Sequence, residues 1–566
     1  MDSSWALYGI GAVALASVLS WAPGRLRLSR AKHRSLTGHA KMSRRLAGFV
    51  PFYAYSEREF FASDGAPDDV AASRRAALAR LARSYRDHHP SAAALGERLE
   101  SGISDAAFTN AYRVPFQYRD YLRKHLAIAT FVEESADVRV KDSDGNWSYD
   151  LSGSYGVNVF GYDFYKECID AGAARVRALG PVLGAYHPII EENVRRLREI
   201  SKLDEVSFHM SGTEAVMQAV RLAQYHTRRP NVVLFCGAYH GWWDGVQPGV
   251  GNPRRVTDVY TLADMSERSL AVLRTRGDIA CVLVNPLQAL HPNRAAPGDG
   301  ALVDSSRSAR FDRAAYAEWL GKLREVCSAR GIALIFDEVF LGFRLARGGA
   351  QEYFGVRADL VTYGKTLGGG LPVGVLCGVH RFMKRFRDDR PSDVCFARGT
   401  FNSHPYVLGA MNEFLRRLDS PAIAATYERL DERWDGRAAT LNARLEAVGL
   451  PVRVANLVSV WTILYTQPSR YNWMFQFYLR AEGLALSWVG SGRLIFSHNY
   501  SDADFAAVAE RFVRAAEAMR ADGWWWSAPA LTNKAIRRRI LKELVRARFG
   551  RRAKIVAPEA FVNRRA

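Results

Sequence analysis

Residues 331–343 read GIALIFDEVFLGF, and residues 358–378 read ADLVTYGKTLGGGLPVGVLCG. In the first stretch the apolar run from Ile332 to Phe336 stops abruptly on Asp337 and Glu338. In the second, Leu360 to Tyr363 stops on Gly364 and Lys365, with Gly368, Gly369 and Gly370 close behind. Short, uninterrupted apolar runs are the mark of strands covered on both faces, as in parallel sheets. In open α/β sheets, chemistry collects at the carboxyl ends of such strands. These two runs therefore deliver one acid and one amine to the same edge of a sheet.

Working outward, further strand candidates are Val232–Cys236, Cys281–Val284 and Val373–Cys377, beside Ala333–Phe336 and Leu360–Tyr363. Helical segments lie between them. Just before the first, Glu214–His226 places Val216, Ala219, Val220 and Ala223 on one apolar face. Strand–helix alternation from about Gly172 to Arg381 predicts an α/β fold with a mostly parallel sheet covered on both sides. Around Val138 to Leu151 the pattern changes to alternation about an Asp144-Gly145 turn, a hairpin signal. Ala71 to Tyr85 reads as an amphipathic helix. Beyond Ile423, helices and alternating runs through Val452–Tyr465 and Leu484–Phe496 predict a second, smaller α+β unit.

The chain of 566 residues holds two or more domains, and 48% hydrophobic with 24% charged residues is a globular composition. Its six cysteines (Cys168, Cys236, Cys281, Cys327, Cys377 and Cys395) have no CxxC spacing, so they read as reduced core residues; no metal site is expected. The net charge of +20 is uneven: Arg25 to Arg45 carries +8 and Lys534 to Arg565 carries +10, leaving the body nearly neutral. That argues against a nucleic-acid enzyme and for flanks that meet something anionic.

Trp5 to Ala22 is eighteen residues without a charge, long enough for a short transmembrane helix, with the alternative of a helix buried against the enzyme or a re-entrant segment. Positive charge follows it, so a single-pass anchor would leave the remainder on the cytoplasmic side of the inner membrane. At the other end, Ile536, Ile540, Leu541, Leu544 and Val545 recur at helical spacing among Arg537, Arg538, Arg539 and Lys542, after Trp524, Trp525 and Trp526. This basic amphipathic tail would either lie on an anionic bilayer surface or pack on the protein.

Met210-Ser211-Gly212-Thr213-Glu214 joins the strand-like VSFHM to a helix. The exposed N–H groups and dipole of a helix start attract a phosphate, and Gly212 allows close approach; the same S-x-x-E spacing is also an ordinary capping box. In Ala238-Tyr239-His240-Gly241, after a strand, Tyr239 suits either stacking on a flat ring or a place in the core. Asp337 suits the protonated nitrogen of a pyridine ring, Val339 its face, and Lys365 a Schiff base. An anion site, an acid and a reactive lysine together point to pyridoxal phosphate.

The motifs SGTEAVMQAVRLA, GAYHGWWDGV, LIFDEVFLGFR, GGAQEYFGVRADLVTYGKTLGGGLPVG and RGTFNSHP resemble those of the class III pyridoxal-phosphate-dependent aminotransferases, the family that includes glutamate-1-semialdehyde aminomutase. In pattern the chain is most similar to the aminotransferase domains embedded in lipopeptide and polyketide synthases. The resemblance spans about Ser135 to Arg520. It implies fold type I, a homodimer with sites at the subunit interface, Lys365 as the Schiff-base lysine and Asp337 as the ring-nitrogen partner. It further implies Val339 and Tyr239 about the ring with His240 adjacent, Gly212 and Thr213 at the phosphate, and Thr400 reaching the neighbouring subunit's site. Gly153-Ser154-Tyr155-Gly156 resembles the family's substrate-side loop. Three positions depart: Asn285 precedes Pro286 where many members have Glu, Leu290 stands at the ω-transaminases' gating glutamate, and Phe340 replaces their glutamine.

The expected organisation is an anchor and basic arm over 1–46, a helical extension over 47–125 and the first part of the small domain over 126–175. The large cofactor domain follows over 176–420, then the rest of the small domain over 421–525 and the tail over 526–566. The expected reaction takes an amino group from an amino acid donor to the carbonyl of a hydrophobic or acyl-carrier-linked acceptor. An acyl carrier protein and the membrane are the expected partners. An intramolecular aminomutase is the alternative, and a non-catalytic scaffold a third reading.

Overall fold

A computed structural model describes residues 22–32, 38–100, 102–112, 114–126, 130–290, 305, 309, 311–487 and 492–550. The Val/Ile/Leu-rich runs form a seven-stranded central sheet. In chain order its strands are β1 (Glu205–His209), β2 (Asn231–Phe235), β3 (Val259–Leu262), β4 (Ile279–Val284), β5 (Ala333–Asp337), β6 (Leu360–Gly364) and β7 (Gly374–Gly378), arranged β1-β7-β6-β5-β4-β2-β3. From β6 to β3 every pairing is parallel; β7 runs antiparallel to both β6 and β1. The sheet is thus mostly parallel with one reversed strand. A short Gly-rich turn joins β6 to β7, where a parallel neighbour would need a long crossover.

Helix Gly212–Thr227 lays Val216, Ala219, Val220 and Ala223 against Val232, Cys281, Ile335 and Leu360. The helices Tyr162–Val176 and Pro405–Arg417 cross with almost no space at the crossing: a Cβ on Gly172 would lie 2.3 Å from the Ala410 nitrogen, and one on Gly409 2.4 Å from the Gly172 carbonyl oxygen. The two glycines are there because backbone meets backbone.

The hairpin signal corresponds to strands Arg139–Asp142 and Trp147–Asp150, extended by Val132–Ala136. Leu484–Ala485 joins this sheet in parallel with Trp147–Asp150, so distant parts of the chain share one sheet. A second small sheet pairs Val452–Leu457, Val460–Tyr465 and Arg493–Ile495. The buried Arg344 ties these pieces to the large sheet, donating to Ser459 Oγ (2.8 Å), Phe496 O (2.6 Å) and Asn158 O (3.0 Å).

The helical extension packs on the smaller unit through buried charge. Arg74, fully buried in helix Asp68–His88, pairs with Asp64 at 2.7 Å and lies over the Tyr471 ring. Arg470 pairs with Glu543 at 2.7 Å, and Glu543 also accepts from Tyr55 at 2.5 Å.

Parts of both flanks pack on the protein. Trp524 and Trp525 are core residues whose indole N–H groups donate to Tyr478 Oη and Asn472 Oδ1; an amphipathic ring suits a buried polar partner as well as a lipid interface. The N-terminal basic flank is in part docked: Leu28 and Ala31 of a helix over 22–31 are buried, and Lys32 bridges Leu262 at the open edge of β3. Among the described residues no helix is long and apolar enough to cross a membrane. The 5–22 run lies, except for Ala22, outside the described residues.

Gly172→Ala is expected to force the crossing helices apart and lower the unfolding free energy by about 1–3 kcal/mol or more, measured by denaturant titration. An unchanged midpoint would mean that the crossing is not close-packed.

Candidate active site

The acid at the end of β5 is held on both oxygens. Asp337 Oδ2 lies 2.8 Å from His240 Nδ1, and both side chains are almost fully buried. Asp337 Oδ1 accepts from Val339 N and Thr362 Oγ1, each at 3.2 Å. A buried carboxylate without such partners would be costly. His240 Nε2 is buried with no hydrogen-bond partner among the described residues.

His240 belongs to the turn after β2, and Gly241 fixes where that turn lies. Its φ is +91°, and a Cβ there would meet Thr213 Oγ1 at 2.5 Å. The turn is thereby pressed against the start of helix Gly212–Thr227. That helix is capped by Ser211 Oγ, which accepts from Glu214 N at 3.2 Å, while Glu214 accepts from Met210 N rather than closing the full capping box. Its first N–H groups have no intrahelical acceptor. Gly212 leaves room for Val339, whose Cγ1 would lie 2.5 Å from a Cβ there, and a Cβ on Gly364 would meet the same methyl at 3.2 Å. Thus Gly212, Thr213, His240, Asp337 and Val339 converge at the carboxyl ends of the strands.

Lys365 directly follows Gly364, with φ at +48°, in the left-handed region that few non-glycine residues occupy. Burial holds its amine below the ordinary lysine range; the nearby Arg344 adds to this and Asp337 opposes it. Its Nζ lies 5.5 Å from the centre of the Phe340 ring. Phe340 in turn fills the space beside Gly156, where a Cβ would lie 2.5 Å from the ring and 3.5 Å from Lys365 Cδ. So 153–156 is beside the lysine, with Ser154 and Tyr155 also at positive φ.

Tyr239 is 63% exposed and Thr400 is exposed; Thr400 makes no described contact with the other residues. Asn285 uses its amide structurally, donating to Tyr239 O at 3.3 Å and accepting from Leu287 N at 3.1 Å.

Glu338 and Arg344 are the site neighbours that residue-by-residue reading missed as participants, while Phe340 stands there only as a departure from the family pattern. Burial pushes the Glu338 carboxyl up to about 8, although Ala350 N donates to it at 2.6 Å. Burial likewise lowers Arg344 to about 10 and His498, which contacts Arg344 O at 2.9 Å, to about 3. The available signal was that Glu338 and Arg344 are charged, as Asp337 is, within the otherwise apolar LIFDEVFLGFR.

The residues fit pyridoxal phosphate. Val339, seated against Gly212 and Gly364, suits the face of a flat ring, the helix start suits a phosphate, the Asp337–His240 pair suits a ring N–H, and Lys365 is a buried amine of lowered basicity.

The family model for aminotransferase class-III matches residues 121–515. The chain belongs to that family. It is 30% identical over 365 residues to the glutamate-1-semialdehyde 2,1-aminomutase of Citrifermentans bemidjiense, covering 61% of this chain and 78% of the relative. It is 31% identical over 354 residues to the same-named enzyme of Methanococcus maripaludis, covering 59% and 76%. A solved transaminase with pyridoxal phosphate bound is 27% identical with a TM-score of 0.58, covering 70% of this chain and 92% of that one. An omega-transaminase from Sphaerobacter thermophilus, 24% identical with a TM-score of 0.62 and coverage of 77% and 99%, shares the fold. As a class III aminotransferase the chain is a pyridoxal-phosphate-dependent enzyme.

Burial of Lys365 has a measurable consequence in the apoenzyme. The unfolded chain keeps this lysine protonated up to its ordinary value while the folded chain releases the proton lower, so stability rises with pH across that window. Apo Lys365→Met is therefore expected to melt above the apo wild type at neutral pH, with the difference shrinking as pH approaches about 10.5. A constant difference would mean that the amine is not perturbed.

Proposed function

We propose that this aminotransferase moves an amino group from an amino acid donor to the carbonyl of a hydrophobic or acyl-carrier-linked acceptor, working as a homodimer. The observation that carries the reaction is the convergence of Lys365, of lowered basicity, with the buried Asp337–His240 pair. Pyridoxal phosphate, when bound, supplies an aldehyde carbon and an electron-withdrawing ring. Asp337 holds negative charge toward the ring nitrogen, and His240 fixes that carboxylate through Nδ1. Val339 and Tyr239 would bound the ring, and Gly212 and Thr213 would offer backbone N–H groups to the phosphate. Lys365 presents an uncharged amine as nucleophile and takes and returns a proton at Nζ. Thr400 is assigned to the neighbouring subunit's phosphate. Its exposure agrees with that role, as does that of Tyr239, Trp242 and Phe396, which are 63%, 75% and 71% exposed in the single chain.

The preference for an apolar acceptor is supported at the site by Phe340, an aromatic ring beside Lys365 where ω-transaminases have glutamine. The acyl-carrier link rests on the resemblance to synthase-embedded domains. Placement at the cytoplasmic side of the inner membrane rests on the uncharged 5–22 run and the basic flanks.

The test is a half-reaction on the holoenzyme, with amino donors added singly while the visible cofactor band is followed. Bleaching with release of the matching keto acid is expected from glutamate, glutamine or alanine. Lys365→Ala is expected to slow it by on the order of 10²–10⁴-fold or more. A band that resists every external donor while the enzyme isomerises an amino-aldehyde would replace this reading with an aminomutase.

A further inference from the structure

The last described helix, Asn533–Phe549, has two working faces, and the body of the protein uses one of them. On the inner face Ile536 is buried, Arg539 donates to Ser63 O at 2.9 Å, and Glu543 is clasped by Arg470 and Tyr55. Leu544 and Ala547 pack against the core. The apolar residues that the sequence alone assigned to a single set are therefore divided. Leu541, Val545 and Phe549, at four-residue spacing, form an outward stripe and are 60%, 50% and 80% exposed.

Exposed cations flank that stripe: Arg538, Lys542, Arg546 and Arg548. The surface continues onto a second segment. Arg548 lies 5.9 Å from the ring of Phe49, and Phe49 and Val50 are 62% and 47% exposed. Large apolar side chains in open water, ringed by cations and supported by a clasped helix, are complementary to one partner above others: a sheet of anionic headgroups over hydrocarbon. Nucleic acid would pair with the cations but leave the stripe in water. A second copy would bury the stripe but bring like charges together.

We propose that the outer face of Asn533–Phe549, with Phe49 and Val50, is a docking surface for an anionic phospholipid bilayer. The helix would lie in the headgroup layer with Leu541, Val545 and Phe549 inserted. This surface is separate from the 5–22 run and independent of which reaction the enzyme performs.

All six cysteines are buried, so a single cysteine introduced on this face can be labelled selectively in the folded, full-length holoenzyme. Val545→Cys carrying an environment-sensitive fluorophore is to be mixed with phosphatidylcholine vesicles, with and without roughly a third phosphatidylglycerol. The expected result is a blue shift with the anionic vesicles alone, reversed by high salt. Adding Lys542→Glu and Arg546→Glu is expected to weaken it by about tenfold or more. An unmoved label with anionic vesicles overturns the proposal, even if the protein floats with them through another segment. A shift already present without vesicles and growing with protein concentration overturns it in favour of a second copy. An equal shift with duplex DNA overturns it in favour of nucleic acid.

Discussion

A carboxylate buried at the end of a strand must be fixed on every side, and the site is organised by how Asp337 meets that requirement. Its partners come from three places: His240 from the turn after β2, Thr362 from the neighbouring β6, and the backbone of Val339 just beyond β5. To bring His240 there, the turn must press against Thr213, which Gly241 permits. To bring Val339 there, the helix Gly212–Thr227 must begin with glycine. One electrostatic demand thus explains why small residues gather where the strands end.

Lys365 is governed by the complementary constraint. An amine enclosed by Phe340, Gly156 and the sheet loses hydration, so its uncharged form is favoured. Its enclosure depends on the smaller unit, because the loop bearing Gly156 is held in part through Arg344, whose donors reach Ser459, Phe496 and Asn158. The reactivity assigned to the lysine therefore rests on contacts between chain segments far apart in sequence.

The strands that carry chemistry were legible because they are pure apolar runs ending on charge; β5 and β6 fall within one residue of their expected limits. The edge strand β3 was not. Val259–Leu262 is four residues long and mostly half-buried, so neither length nor apolarity distinguishes it. The reversal of β7 was equally hidden, since an apolar run has no direction. Arg344 could not be assigned because most of its acceptors are backbone carbonyls, which any sequence supplies. The tail's apolar residues obeyed helical spacing, yet spacing alone did not show that Ile536 turns inward and Leu541 outward. Trp524 and Trp525 were ambiguous for the same reason, because an indole suits a core or an interface equally.

The central claim is that one lysine, positioned by the end of β6, is the covalent partner of pyridoxal phosphate. Borohydride reduction of the reconstituted enzyme, followed by peptide mapping, tests it most directly. The account predicts stoichiometric modification of the peptide containing Lys365, lost in Lys365→Ala. Modification spread over several surface lysines, or none that depends on Lys365, would contradict it.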